Sequence, residues 1–219
     1  MPEVAIPAIA NTYRPKRRVR LWAGAALVGL YVRIALIGDR LAPYHPDEQD
    51  LFNILGAPDA AHWFGADNIG RDQFSRLLVG TRFTLAVAFF VVVLAVTIGA
   101  TLGLIGGYFG GRVDAAVTGL VDLLLTVPEL ILAIAIASVI GAGMTGLIVA
   151  TTASFVPRLA RLIRGRVLEI REEEYVQAAI TVGMSDTRVL LRHVLPNAVT
   201  VIVIEASLLA GQAVLVGTA

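Results

Sequence analysis

No cysteine occurs in the 219 residues. That excludes disulfides, a thiol nucleophile and any thiolate metal site. Histidine is scarce: His45, His62 and His193 stand far apart, with no metal-ligand spacing among them. Charge is scarce too, at 16% of residues, against about 25% in soluble domains. Neither sign dominates, the net being +1, so no global field points to nucleic acid. The chain has no internal repeat and no low-complexity domain. It also lacks a His-Glu-x-x-His pattern and a credible Ser-His arrangement, which argues against an intramembrane enzyme.

What the chain has instead is apolar length. Hydrophobic residues make up 57% of it, and the mean hydropathy is +0.77. These values place it in the membrane class before any motif is read. A spanning helix needs about 20 mostly apolar residues. Residues 19–38 form a first span interrupted by Arg33, and Phe83–Ile105 is the clearest run. Ala115–Ile140 is a third, carrying Asp122, Pro128 and Glu129. Met144 opens a fourth that continues to about Gly165, and Val199–Val216, containing Glu205, is the fifth. The expected fold is an all-α integral membrane protein with five transmembrane helices.

Arg and Lys set the expected orientation. Residues 1–18 form a basic tail, and no clean small-residue cleavage site follows the first apolar run, so that run reads as an uncleaved helix. Thirteen of the eighteen basic residues fall in the tail extended to Arg20, the 106–114 turn and the 158–197 loop; residues 39–82 hold four, offset by seven acids. The positive-inside rule then puts the N-terminus and the 158–197 loop in the cytoplasm and residues 39–82 outside, in a bacterial plasma membrane. Ionisable residues at membrane depth are costly, roughly 2.5–3.5 kcal/mol each on insertion scales. Asp122, Glu129 and Glu205 are therefore candidates for lining a path. Asp122 and Glu129 are seven apart, which puts them on one face of a continuous helix.

The polar stretches carry the punctuation. In the loop, Asp67 and Asp72 beside Arg71 and Arg76 read as a salt-bridged turn leading into an interfacial helix, with Trp63 and Phe64 as surface anchors. Gly99, Gly103, Gly106 and Gly107 offer a small-residue packing surface, and Gly106–Arg112 reads as a tight turn. A nucleotide-binding glycine loop there lacks a flanking strand and a Lys-Ser/Thr pair. Between the fourth and fifth spans, Tyr175–Ile180 favours helix, and Gly183 permits positive φ, so that helix can stop and turn. Ser185 and Asp186 offer capping for a second helix, Thr187–Val194. Pro196 prevents that helix from continuing smoothly, and Asn197 restarts the chain toward the membrane. The product is a helix-turn-helix knuckle at about residues 166–196.

That knuckle has a specific spacing: Gln177-Ala178-Ala179, three residues, Gly183, nine residues, then His193-Val194-Leu195-Pro196. It resembles the Glu-Ala-Ala signature of ABC-transporter importer permeases, with Gln177 in place of Glu and His193 in place of Ile. His62-Trp63-Phe64-Gly65-Ala66-Asp67, Gly70-Arg71-Asp72, Ser75-Arg76 and Gly106-Gly107-Tyr108-Phe109-Gly110-Gly111 resemble the peptide and nickel branch. The likeness covers roughly residues 15–219. Members usually have six spans, and the family's turn and sixth helix are absent from these residues.

The resemblance implies a subunit with no catalytic residue, metal or cofactor of its own; ATP and Mg would sit on partners. It implies two ABC ATPases, a second homologous permease in a heterodimer, an extracytoplasmic substrate-binding protein and surrounding membrane lipid, without nucleic acid. Glu174, Tyr175, Gln177, Ala178, Ala179, Gly183, Arg188 and Pro196 become the ATPase-coupling candidates, and Gly70, Arg71, Asp72 and Arg76 the loop motif. Cargo would be di- or oligopeptides, with nickel or glutathione as alternatives. An ATPase-independent ion-coupled carrier or channel, with Asp122, Glu129 and Glu205 as a relay, leaves the knuckle unexplained.

Overall fold

The computed structural model describes residues 16–141 and 143–217. Most of the expected basic tail, up to residue 15, lies outside them. The chain divides into two compact units, residues 1–82 and 83–219. Among the described residues, four helices are long and apolar enough to cross a membrane, and a bent helix pair makes a fifth span if counted as one. Among the described residues the only extended pairing is a bridge between Ala66 and Asp72.

In the first unit, α1 (Lys16–Leu41) exceeds the expected span at both ends. Its last turn packs closely on the start of α2 (Gln73–Phe109), and Arg82 Nη1 donates to Asp39 Oδ2 at 2.8 Å. The expected interfacial helix does not form separately. Asp72 leads straight into α2, whose 37 residues absorb both that segment and the second span. Nothing in Gln73–Arg82 breaks a helix, so the polar start simply continues into the apolar run. The expected tight turn at Gly106–Arg112 is likewise mostly helical: only Gly110 leaves the helix, at φ 68°, and Gly111, at φ 54°, opens the next one.

In the second unit, α5 (Met144–Arg171) is the central helix, with Leu159, Ile163, Val167 and Ile170 fully buried. Its Pro157 is accommodated within the helix. Gly99, Gly103 and Gly107 of α2 recur every four residues and face Leu159, Ile163 and Val167 in turn. Lipid gives helices no hydrophobic reason to associate, so close backbone approach through small residues holds them instead. A Cβ added to Gly103 would lie 2.7 Å from the Ala160 carbonyl oxygen.

The third expected span is not one helix. It is α3 (Gly111–Leu125) and α4 (Glu129–Ile140), bent by 90° at Thr126–Pro128. Pro128 has no N–H and disfavours helix in the residue before it. Asp122 and Glu129 therefore do not share a helical face. α4 packs back on α5. Asp114 and Asp122 of α3 pair with Arg164 and Arg161 of α5. Eight residues on α3 thus match three on α5, so α3 crosses α5 obliquely.

After α5 come α6 (Glu174–Thr181) and α7 (Asp186–Val189). A π-helical turn over Leu190–Val194 then runs into α8 (Leu195–Gly217). Pro196 does not stop the helix, and the departure from a smooth helix expected there takes the form of the π-helical turn before it. The helix is continuous enough from Asp186 to Val216 to form one candidate span. A proline ring clashes with the carbonyl four residues back. The widened turn, with Leu195 N–H donating to Leu190 O five residues back, relieves that clash. Asn197 Nδ2 then donates to the His193 carbonyl at 2.6 Å.

Candidate functional site

The knuckle is built on a closed helix end. α6 stops at Val182, and Gly183 follows at φ 87°. Gly183 N–H donates to Ile180 O at 2.9 Å, and Met184 N–H donates to Ala179 O at 3.1 Å. These are the two bonds of a Schellman motif, which requires a left-handed residue at the glycine position. Its usual apolar contact is present, because Ala179 and Met184 both pack against the core. Ser185 stands at the start of α7 but makes no side-chain cap.

The knuckle has two faces. Val176, Val189 and Val194 are fully buried and belong to the same core as Ile163 and Val167 of α5. Glu174, Tyr175, Gln177, Ala178, Gly183, Arg188 and Pro196 are exposed, while Ala179 is half-buried and turned to the core. Only one alanine of the pair is thus on the outer surface. Val182 is 88% exposed and Leu191 57%, so the outer face carries apolar side chains among the charged Glu174, Asp186 and Arg188. Glu174 lies in the first turn of α6, where a carboxylate complements the helix dipole.

Two further bonds fix the knuckle to its neighbours. Gln177 Nε2 donates to the Arg171 carbonyl, the last residue of α5, at 2.8 Å. Tyr108 Oη donates to Asp186 Oδ1 at 3.0 Å, joining the end of α2 to the start of α7. Tyr108 is itself buried. Sequence reading missed this link, since the two residues are 78 apart and each has an ordinary local explanation. The signal that was available was the coincidence of two family-like motifs, one at each end of the bond.

The loop motif forms a separate polar site in the first unit. Asp67 Oδ1 accepts from the Ile69 and Arg71 amides at 3.0 and 2.9 Å. Its Oδ2 accepts from Arg71 Nε at 2.8 Å and Arg76 Nη1 at 2.7 Å. Burial pushes the Asp67 carboxyl up, but the Arg71 and Ile69 amides and the Arg71 guanidinium outweigh it and hold the group well below the usual carboxylate range. Asp72 does not join this cluster. It is buried, accepts from Ser75 N–H at 2.7 Å and contacts His62 Nδ1 at 3.0 Å. There too burial raises the carboxyl pKa, and the Ser75 and His62 hydrogen bonds bring it below its ordinary value. Gly70 permits the fold because a Cβ there would strike the Asp50 carbonyl oxygen at 2.0 Å. Trp63 and Phe64 remain largely exposed beside Phe74.

The three path candidates are not brought together. Asp122 is exposed and paired with Arg161. Glu129 lies at the start of α4, where its carbonyl accepts from Ser154 Oγ at 3.2 Å. Glu205 is half-buried on α8. Among the described residues, no cluster of His, Asp and Glu fit to hold a metal occurs.

Spans of this number, one broken in mid-course, with a knuckle between the last two, define a multi-pass helical membrane protein of the transporter class. The chain belongs to the family described as binding-protein-dependent transport system inner membrane component, which matches residues 96–216, and is an ABC importer permease of the peptide and nickel branch. Over 205 residues it is 37% identical to the glutathione transport system permease protein GsiD of Shigella dysenteriae serotype 1, covering 93% of this chain and 68% of that protein. It is 39% identical, at the same coverage, to GsiD of Shigella flexneri serotype 5b. Over 192 residues it is 37% identical to the dipeptide transport system permease protein DppC of Alkalihalophilus pseudofirmus, covering 88% of this chain and 63% of that protein. The resemblance read from the knuckle and loop motifs is confirmed, and the family is one of transport subunits.

Proposed function

We propose that this chain is one of two non-identical permeases in an ATP-driven importer of di- or oligopeptides. An extracytoplasmic binding protein delivers the cargo. Two cytoplasmic ATPases, which hold ATP and Mg and carry out the hydrolysis, grip the knuckle from Glu174 to Arg188. The N-terminus and the knuckle face the cytoplasm, in keeping with the distribution of arginines. Glutathione is a peptide with free carboxylates, and the identity to two glutathione permeases favours it as a second cargo reading.

One observation supports the coupling role above the others. The knuckle's inner valines are embedded in the core, its outer face presents Val182 and Leu191 among charged side chains, and α7 runs into α8 through a π-helical turn with no intervening loop. Force applied to the outer face therefore reaches the membrane span through helix rather than loop. Closure of the ATPase pair would tilt α5 and α8 together and switch access across the bilayer.

Gly183→Val tests this in the assembled importer. Space around Gly183 is open, so the variant challenges the backbone conformation and not the packing. A left-handed non-glycine residue costs about 1–2 kcal/mol, enough to reorganise an exposed turn. Expected is uptake reduced by about tenfold or more, that free energy being a factor of about 5–30, while ATP hydrolysis persists. Gly183→Asn, which tolerates the left-handed region, is expected to transport normally. Normal uptake in Gly183→Val would rule out the knuckle as the coupling element.

A further inference from the structure

Glu129 and Arg158 line the same groove, and neither is neutralised. The groove, about 220 Å³, opens at the break between α3 and α4 and is walled by Leu125, Pro128, Glu129, Ser154, Arg158 and Arg161. Among the described residues, the Glu129 carboxylate and the Arg158 guanidinium have no hydrogen-bond or ion-pair partner. Arg161 is already held by Asp122. Arg158 is the one exposed residue from Thr151 to Ala160, the most enclosed stretch of α5.

Depth makes this arrangement unusual. Arg158 lies fourteen residues beyond Met144, about 21 Å by helical rise. Glu129 lies eleven residues before Ile140, about 17 Å by the same rise. The hydrocarbon core is about 30 Å thick, so counted from those helix ends both charges lie within one core thickness, and Arg158, expected in the cytoplasmic 158–197 loop, belongs to the long α5 helix instead. Unpaired charges at that depth are costly and mark pathways for polar substrates. Irregular backbone is tolerated at the same depth where it lines a cavity, as in the broken helices of transporters. Two opposite charges that served only structure would close on each other. These stand apart across a groove.

We propose that this groove is a station on the translocation path that reads a zwitterion: the carboxylate of the cargo meets Arg158, and its ammonium group meets Glu129. The proposal rests on the peptide-importer reading above. The planar guanidinium fork matches a carboxylate in two-point fashion. Asp122 occupies the neighbouring Arg161 and so leaves Arg158 as the groove's free cation. The groove is open and shallow, which suits passage, where binding must be weak enough to release.

The test uses the whole importer, with its ATPases, second permease and binding protein, in proteoliposomes. ATP-dependent uptake is measured for a free dipeptide, its C-terminal amide and its N-acetyl form. The same binding protein serves every variant, so its own preference cancels between variants. The readout is the ratio of modified to free cargo within each variant, which does not depend on how much protein assembles. Arg158→Gln is expected to raise the amide-to-free ratio about tenfold and leave the acetyl-to-free ratio alone. Glu129→Gln is expected to do the converse. It is nearly isosteric, so it keeps the ratio measurable even where Arg158→Gln assembles poorly. Unmoved ratios with uptake falling equally for all three cargos would overturn the station and make the groove a contact with the second permease. A wild-type importer that hydrolyses ATP and moves none of the three would overturn the station together with the peptide reading. Wild-type uptake with unmoved ratios overturns the station alone.

Discussion

Between α1 and α2 the chain is folded by carboxylates, whereas beyond residue 83 it is folded mainly by the closeness of backbones. Asp67 alone gathers two amides and two guanidinium groups, and Asp72 gathers Ser75 and His62. That loop has few buried apolar side chains, and Leu51, Phe52, Leu55 and Trp63 are largely exposed. The second unit instead stacks Gly99, Gly103 and Gly107 of one helix on Leu159, Ile163 and Val167 of another. The difference follows from solvent. A water-facing loop competes with water for every hydrogen bond and is ordered by charge-assisted ones, which are about twice as strong as neutral ones. Helices in lipid have their backbone bonds already satisfied, so contact area and shape are what remain to be optimised.

The sharpest way to break this comparison is at Gly103. Its missing Cβ is surrounded by the Ala160 carbonyl oxygen at 2.7 Å, Arg164 N at 2.9 Å and Ile163 Cβ at 2.9 Å. Backbone atoms cannot step aside as a flexible side chain can. Gly103→Leu is expected to cost about 3 kcal/mol or more, at or above the top of the usual overpacking range. The measurement is the yield and melting temperature of the purified protein in detergent. An unchanged melting temperature would show that α2 and α5 are not held by close approach.

Three prolines show what could be seen in advance. Pro157 lies inside α5 and leaves it whole. Pro128 was expected inside a span and instead marks a 90° bend. Pro196 was expected to keep a helix from continuing smoothly and is passed through by way of a π turn. The residue is the same, and the outcome depends on what surrounds the backbone groups it displaces. At Pro128 bonds hold both sides of the break: Thr126 N–H donates to the Asp122 and Leu123 carbonyls of α3, and Ser154 of α5 donates to the Glu129 carbonyl. At Pro196 a π turn and the Asn197 side chain do that work from within. Hydropathy does not register either device, because Thr126-Val127-Pro128 is short and uncharged between strongly apolar flanks. The turn at Gly183 was legible because its requirement is local, namely one glycine that can take positive φ. The groove at Glu129 and Arg158 was not, since it needs residues from α3, α4 and α5 at once.

A smaller effect is expected from Asp67→Asn, which sharpens the comparison from the loop side. The variant keeps the shape and removes the charge that Arg71 and Arg76 share. Loop order should fall while the glycine-packed helices stay intact. Limited proteolysis reports the first as faster cleavage within residues 42–72, and the melting temperature reports the second. Equal protection of the loop in wild type and variant would mean that its order comes from elsewhere.

The smallest effect at neutral pH, and the most specific, concerns acid. The Asp67 and Asp72 carboxyls both titrate below their ordinary value in the folded loop. A carboxyl whose folded pKa is depressed stabilises the fold at every pH above its unfolded value, about 3.9 for aspartate. That stabilisation fades as pH falls from there through the depressed folded values. The loop should therefore be insensitive to pH from 7 down to about 4 and lose order only below it. Trp63, in ring contact with Phe74, reports on the loop directly. The only other tryptophan is Trp22, so a Trp22→Phe background makes Trp63 the sole fluorophore. Its emission should stay constant to about pH 4 and shift below that, and in Asp67→Asn the shift should be smaller, because one of the two titrating carboxyls is gone. A transition centred between pH 5 and 7 would contradict carboxylate control and assign the loop's order to His62 instead.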